Sequence, residues 1–499
     1  MNPATPEHRG KFKHQVFSGL AWSAGGRVAQ QVIAFGLTIV LSRLLSPEDY
    51  GEMAMVMVFT GFAGMLADAG FTSALVQKQE MAELLTETVF WLNTVSGLLL
   101  TAITFAFAPW LAVFFHAPAL KTIFRVVAVI FILTSLGNVP GALLQKRMDF
   151  RTLVRIDTWS LFLSGVLGVA LALSGAGVWS LVAQSLANTF LVSLLRCASC
   201  RWLPRWRFSK SALKSVWGYA GNLYGFNLIN YWARNADRIV IGKFFGAAPV
   251  GLYNRAYGLM LLPITQVNSV ISAVVFPAFA SIQNDKPRVK RIYLRAIGMV
   301  ALITFPVMFG LLVTAQPFIL AVYGPKWIGV VPLLQILALV GAMQVLINSV
   351  GGLYLSQGRT DILLKWGVVF SIVVLLSFGV GLALGSVRAV AVCYCVANIL
   401  LFYPSLVLGG GVINTRASEL LAAVAGPFFA SLAMMAVVFA ASRVLPPDWR
   451  AWWSLAVLVG TGAGVYSALV LAFKLSAGRE VIGIIRQKRG TAGPVLEGV

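Results

Sequence analysis

Histidine is nearly missing. The chain has three, His8, His14 and His116, none in an apolar run, and only His8 adjoins a carboxylate, Glu7 of the polar N-terminal segment, so a histidine-centred base or metal site within the apolar runs has no material. Acidic residues are few, 17 Asp and Glu in 499, and most fall in polar connections. There is no H-E-x-x-H, no P-loop and no D-x-D beside a membrane face, which removes the parts for metal hydrolysis and ATP coupling. A serine nucleophile would lack its base. The chain therefore reads as a non-enzyme with no cofactor and no metal. Cysteine is scarce too. Cys197 and Cys200 form one C-x-x-C without a second pair or a histidine to complete a zinc site, and Cys393 and Cys395 lie in an apolar run.

Charge as a whole is sparse: 11% of residues are charged and 59% hydrophobic, against about 25% charged in soluble domains. That excludes an ordinary soluble protein. The net charge of +22 does not point to nucleic acid, because the basic residues sit in short segments between apolar runs. Anionic headgroups and membrane topology explain them. Fourteen apolar runs reach the ~20 residues a membrane helix needs: 16–41, 50–76, 88–115, 121–144, 156–174, 177–197, 214–242, 249–280, 293–320, 330–355, 362–384, 387–408, 419–443 and 452–473. The first follows a polar, basic segment and is too long for a signal-peptide core, so it reads as a retained membrane helix. Connections such as LLSPEDYG, FHAPAL, SGAG, YGPKW and RVLPPDW are short and marked by turn residues. The expected fold is an all-α polytopic membrane protein of about fourteen helices.

Lysine and arginine set the orientation. Lys146, Arg147, Arg151 and Arg155 form one cluster; Arg201, Arg205, Arg207, Lys210 and Lys214 form another. Lys286, Arg288, Lys290 and Arg291 form a third, and Lys474, Arg479, Arg486, Lys488 and Arg489 lie in the tail. All fall on the side of both termini, which the positive-inside rule makes cytoplasmic. An internal echo divides the chain: LSRLLSPEDYGEMAM ends the first run, and IGKFFGAAPVGLYNR ends the seventh, with Arg43 matching Lys243 and Gly51 matching Gly251. Such echoes mark related transporter halves. The division expected is residues 1–200 and 201–410 as two six-helix lobes, 411–475 as two further helices, and 476–499 as a basic tail.

The run from Trp217 to Gly242 carries the unusual chemistry. Helical spacing puts Asn227, Asn230, Arg234 and the pair Asp237/Arg238 on one side. Each charge costs roughly 2.5–3.5 kcal/mol on insertion scales, and such residues face a bundle interior or a water-filled cavity. An Arg234–Asp237 bridge alone would leave one positive charge over, so a cavity lining is favoured. Arg27 lies ~15 Å into the first helix, with Asp68 at a similar depth in the second. A structural bridge and a ligand site are both open for that pair. Arg255, early in the eighth run, is open to a cavity role or to snorkelling towards the interface.

Taken in order, GLAWSAGGRVAQQ, LSRLLSPEDYGEMAM, LADAGFTSALVQ, ALLQKRMDF, NADRIVIGKFFGAAPVGLYNRAY, VVFPAFASIQ and YGPKW make the sequence resemble polysaccharide flippases. These belong to the multidrug/oligosaccharidyl-lipid/polysaccharide superfamily; the likeness is to the Wzx-like branch of lipopolysaccharide and exopolysaccharide export. The resemblance implies two lobes around a central cavity in the bacterial inner membrane. It implies alternating access that moves a polyprenyl-pyrophosphate-linked oligosaccharide outward. Arg27, Arg234, Arg238 and Arg255 would be cavity cations, Asn227 and Asn230 sugar-facing groups, and Asp68 and Asp237 counter-charges or ion carriers. Membrane lipids, a polysaccharide polymerase and export proteins would be partners. The rivals are a peptidoglycan-precursor (lipid II) flippase, a multidrug exporter, a membrane polymerase or ligase, and an assembly scaffold.

Reporter tags test the topology. Those at residue 205 and the C-terminus should read cytoplasmic and one near Pro447 periplasmic; a periplasmic C-terminus would overturn the helix count.

Overall fold

The computed structural model describes residues 6–68, 75, 83–209, 231–232, 234–283, 285–446 and 449–473. Its helices are α1 (Pro6–Leu44), α2 (Pro47–Asp68), α3 (Glu83–Phe114), α4 (Ala119–Val127), α5 (Val129–Lys146), α6 (Phe150–Leu173) and α7 (Val178–Cys200). Residues 234–245, α8, are helical, as are 231 and 232. Then come α9 (Ala247–Ser281), α10 (Lys286–Val322), α11 (Val330–Ser356), α12 (Thr360–Ala383), α13 (Val387–Val412), α14 (Ala417–Val444) and α15 (Ala451–Ala472). Ala128 keeps helical dihedrals between α4 and α5, so the two form one span. Among the described residues, ten spans are long and apolar enough to cross a membrane. The protein is an all-α, polytopic membrane protein.

The helix starts follow from local chemistry. Ser46 and Asp49 bond reciprocally ahead of α2: the Asp49 carboxylate accepts from Ser46 N at 2.8 Å and from its hydroxyl at 2.7 Å, while Ser46 Oγ accepts from Asp49 N at 3.2 Å. That is a capping box, with Pro47 fitting the first helical position. Asp149 accepts from Thr152 N ahead of α6, Asp285 from Arg288 N ahead of α10, and Ser386 from Ala389 N ahead of α13. Each satisfies an amide that hydrocarbon or interface cannot.

The chain divides into two compact units, Met1–Gly251 and Leu252–Val499. In the first, α1 packs on α6, α6 on α7, α7 on α5 and α5 on α3. Small residues set these approaches: Gly97 lies against Ser135, and Gly137 against Ser193. In the second, α10 is the hub, touching α11, α14 and α15. Phe428 of α14 meets Phe305 and Phe309 of α10 at ring distances of 5.9 and 5.6 Å. The Tyr466 hydroxyl of α15 donates to Leu302 O at 2.8 Å. The last two helices thus complete the second unit's packing.

The sequence echo is also a contact. A Cβ on Gly51 would overlap the Ala247 carbonyl, and one on Gly251 would overlap the Pro47 carbonyl. Gly51 matches Gly251 and Pro47 matches Ala247, so each segment gives the other the same thing: a bare glycine for a backbone carbonyl. The first turns of α2 and α9 therefore cross backbone to backbone, which only glycine permits. Nearby, Lys243 Nζ donates to Phe114 O at 2.6 Å and lies 4.6 Å from the Phe114 ring centre, a cation at the C-terminus of α3.

Gly51→Ala and Gly251→Ala should each lower stability by about 1–3 kcal/mol, read as a lower Tm of the purified protein in detergent. Gly36→Ala, whose Cβ meets nothing within 4 Å, is the control; equal effects at all three would refute the crossing.

Candidate functional site

The expected site helix is anchored to α2 by aromatic residues. Tyr231 Oη donates to Val58 O at 2.6 Å, and Gly61 leaves room for that phenol. The Trp232 ring lies 4.5 Å from Phe62 and 5.8 Å from Phe59. About one turn of α2, residues 58–62, thus holds both side chains. In it, Asn235 Nδ2 donates to Tyr231 O at 2.9 Å, while Asn235 Oδ1 accepts from Arg238 Nη1 at 2.9 Å. Arg238 is half-buried. Asp237 is buried, 3% exposed, and its Oδ1 accepts from Arg238 N at 2.8 Å. Arg234 is exposed. One helix turn therefore holds a solvated arginine, an arginine oriented by an amide, and a buried carboxylate.

The other expected residues separate. Asn227, Asn230 and the Asp68 side chain lie outside the described residues, so the Arg27–Asp68 pair does too. Arg27 itself is exposed on α1. One turn on, Gln30 Nε2 donates to Thr158 Oγ1 of α6 at 3.3 Å. Arg255 lies in the second unit, its guanidinium carbon 5.2 Å from the ring centres of both Tyr323 and Trp327. Those rings are buried, 2% and 0% exposed. The loop YGPKW supplies them: Gly324 takes φ +93°, which turns the chain so that Tyr323 and Trp327 face the same cation.

Several polar groups within the helices escaped the sequence reading. Asp157 of α6 and Arg196 of α7 form an ion pair at 3.1 Å. Gly141 of α5 lies against the Arg196 side chain. Glu87 is buried, 2% exposed, in the second turn of α3, with Asn93 at 0%. Among the described residues, Glu87 Oε2 and both polar atoms of the Asn93 side chain have no hydrogen-bond partner. The signal was available, since each is a polar residue in or beside an apolar run. Among the described residues, no group of three His, Cys, Asp or Glu side chains gathers into a metal site.

A protein-family model described as "Polysaccharide biosynthesis protein" matches residues 40–332. The teichuronic acid biosynthesis protein TuaB of Bacillus subtilis is 29% identical over 461 residues, covering 92% of this chain and 95% of TuaB. The succinoglycan biosynthesis transport protein ExoT of Rhizobium meliloti is 27% identical over 497 residues, 96% of this chain and 97% of ExoT. Among solved structures, the lipid II flippase MurJ in an inward closed conformation superposes with a TM-score of 0.72 at 13% identity, over 93% of this chain and 100% of MurJ. That likeness concerns the fold.

Arg255 is tested by two substitutions. Arg255→Lys keeps the charge but not the planar stacking, and should cost about 0.5–1 kcal/mol; Arg255→Ala should cost about 2 kcal/mol. Unchanged melting in the alanine variant would mean the rings do not hold the cation.

Proposed function

Because the chain belongs to the polysaccharide biosynthesis protein family, we propose that it is a flippase. It moves a polyprenyl-pyrophosphate-linked oligosaccharide from the cytoplasmic to the periplasmic leaflet of a bacterial inner membrane, with both termini cytoplasmic. The observation that carries this reading is the arginine pair of α8, held on a helix that Tyr231 and Trp232 fix to α2, in a relative of polysaccharide biosynthesis and transport proteins matched along nearly its whole length. A pyrophosphate cannot enter hydrocarbon alone. Guanidinium groups meet it with charge-assisted, two-point hydrogen bonds. Arg234, exposed, makes first contact; Arg238, oriented by Asn235, supplies a second fork; Asp237 tunes the local field. The prenyl chain stays in lipid while the headgroup passes, and alternating access exposes the site to each side in turn. Arg27 serves as a further cation along the path. The scarcity of histidine and acidic residues, three and 17 in 499, fits transport better than a polymerase or ligase reaction. A multidrug exporter would call for acidic groups to attract cations, where α8 carries two arginines to one aspartate.

The test is delivery of labelled lipid-linked oligosaccharide to the outer leaflet of proteoliposomes, with protein abundance measured alongside. Each lost charged hydrogen bond is worth about 1.5–3 kcal/mol, so Arg234→Ala and Arg238→Ala should each slow transport about 10- to 150-fold. The lysine variants should retain part of it. Full transport by a well-folded double alanine variant would overturn the proposal.

A further inference from the structure

A crevice opens on the first unit between α1 and α6. Its volume is about 430 Å³, and its walls include Trp22, Gly25, Ala29, Val154, Arg155 and Trp159. Gly26 lies against Val154 and brings the helices together, while a Cβ on Gly25 would meet nothing within 4 Å. The crevice is thus the space left beside a tight crossing. Arg151, Arg155 and Trp159 recur every four residues and share one face of α6. The guanidinium carbons of Arg151 and Arg155 lie 4.6 and 5.8 Å from the Trp22 ring centre. Both arginines are exposed. Among the described residues neither forms an ion pair: Asp157 is engaged by Arg196, and Asp149 caps its own helix.

The same face of α6 continues as apolar surface. Trp159 is 59% exposed, and Phe162, Leu163 and Val166 are 43–49% exposed. Arginines, then tryptophan, then exposed aliphatics is the profile of a helix passing from headgroups into acyl chains. The charge offered at the headgroup level is positive, and the space behind it is apolar.

We infer that this crevice binds an anionic glycerophospholipid of the surrounding leaflet. Arg151 and Arg155 take its phosphate, and one acyl chain lies between Trp22 and Trp159 against Gly25. Basic pockets between membrane helices are suited to such headgroups. A sugar-bearing lipid fits less well. The crevice offers a glycan little beyond Thr158, whose hydroxyl already accepts from Gln30. The inference rests on the membrane-spanning fold and is independent of the transport reading.

The experiment titrates delipidated full-length protein with phosphatidylglycerol, with phosphatidylcholine of the same chains, and with chainless glycerophosphoglycerol, counting bound lipid by native mass spectrometry. Phosphatidylglycerol should bind more tightly than phosphatidylcholine, and the chainless headgroup should not bind. Arg151→Gln and Arg155→Gln should each weaken phosphatidylglycerol about fivefold and together about 25-fold, leaving phosphatidylcholine unchanged. Gly25→Leu keeps both arginines but fills the crevice, and should weaken binding of the intact lipid. The inference falls if the double variant keeps the preference, if Gly25→Leu binds as before, or if farnesyl diphosphate displaces phosphatidylglycerol at equal concentration. Phosphatidylglycerol binding that persists in a transport-dead Arg234→Ala/Arg238→Ala protein supports this site separately from the flippase reading.

Discussion

The crossing of α2 and α9 at Gly51 and Gly251 is the contact from which the position of the charged helix follows. In a bilayer, lipid tails are as apolar as leucine, so helices gain little from hydrophobic burial against one another. Close backbone approach and satisfied polar groups must hold them instead. Each glycine here admits the other segment's carbonyl. That fixes the start of α9, and with it the short turn at Gly246 that joins α8 to α9. Lys243 then reaches the last carbonyl of α3, and Trp232 reaches Phe59 and Phe62. The arginines of α8 therefore sit between two fixed points, the glycine crossing that follows them and the aromatic packing of Tyr231 and Trp232 on α2.

Burial then sorts the charges. Asp237 is nearly inaccessible, and a lone buried carboxylate would cost several kcal/mol. One compensation is local: the Arg238 amide bonds to it. Arg238 is steadied in turn by Asn235, which is itself bonded to the backbone of Tyr231. The result is a cation whose direction is set before any ligand arrives. In the proposed transport, preorganisation of this kind would spare the pyrophosphate the cost of ordering the side chain.

How much was legible follows from which forces act locally. Thirteen of the fourteen apolar runs overlap described helices that reach up to ten residues beyond them, the fourth matching α4 and α5 together; the second run continues past the described end of α2 at Asp68, and the seventh is described only over 231–232 and 234–245. Hydrophobic length is a local property, so it survives in the sequence. The start of α3 did not, because Glu83, Thr86 and Glu87 read as a loop although Glu87 is buried. Arg255 was visible as an intramembrane charge, but its rings come from Tyr323 and Trp327, at the far end of the next helix along the chain. The echo of Arg43/Gly51 in Lys243/Gly251 was legible as similarity. That the two segments touch depends on tertiary packing, which a short repeat does not encode by itself.

Arginine–aromatic contacts in this protein have two outcomes, decided by the exposure of the rings. A ring covers the face of a guanidinium and leaves its five N–H donors in the plane, so stacking orients the group without consuming its hydrogen bonds. Around Arg255 both rings are fully buried, and the contact ties a loop to a helix. Around Arg151 and Arg155 the ring is Trp22, 39% exposed, beside Trp159 at 59%. Those donors remain within reach of the headgroup region. The same pairing thus braces the second unit internally and presents cations at the edge of the first. The difference arises because Trp327 and Tyr323 flank a glycine turn folded into the core, whereas Trp22 and Trp159 stand on helix faces turned outward.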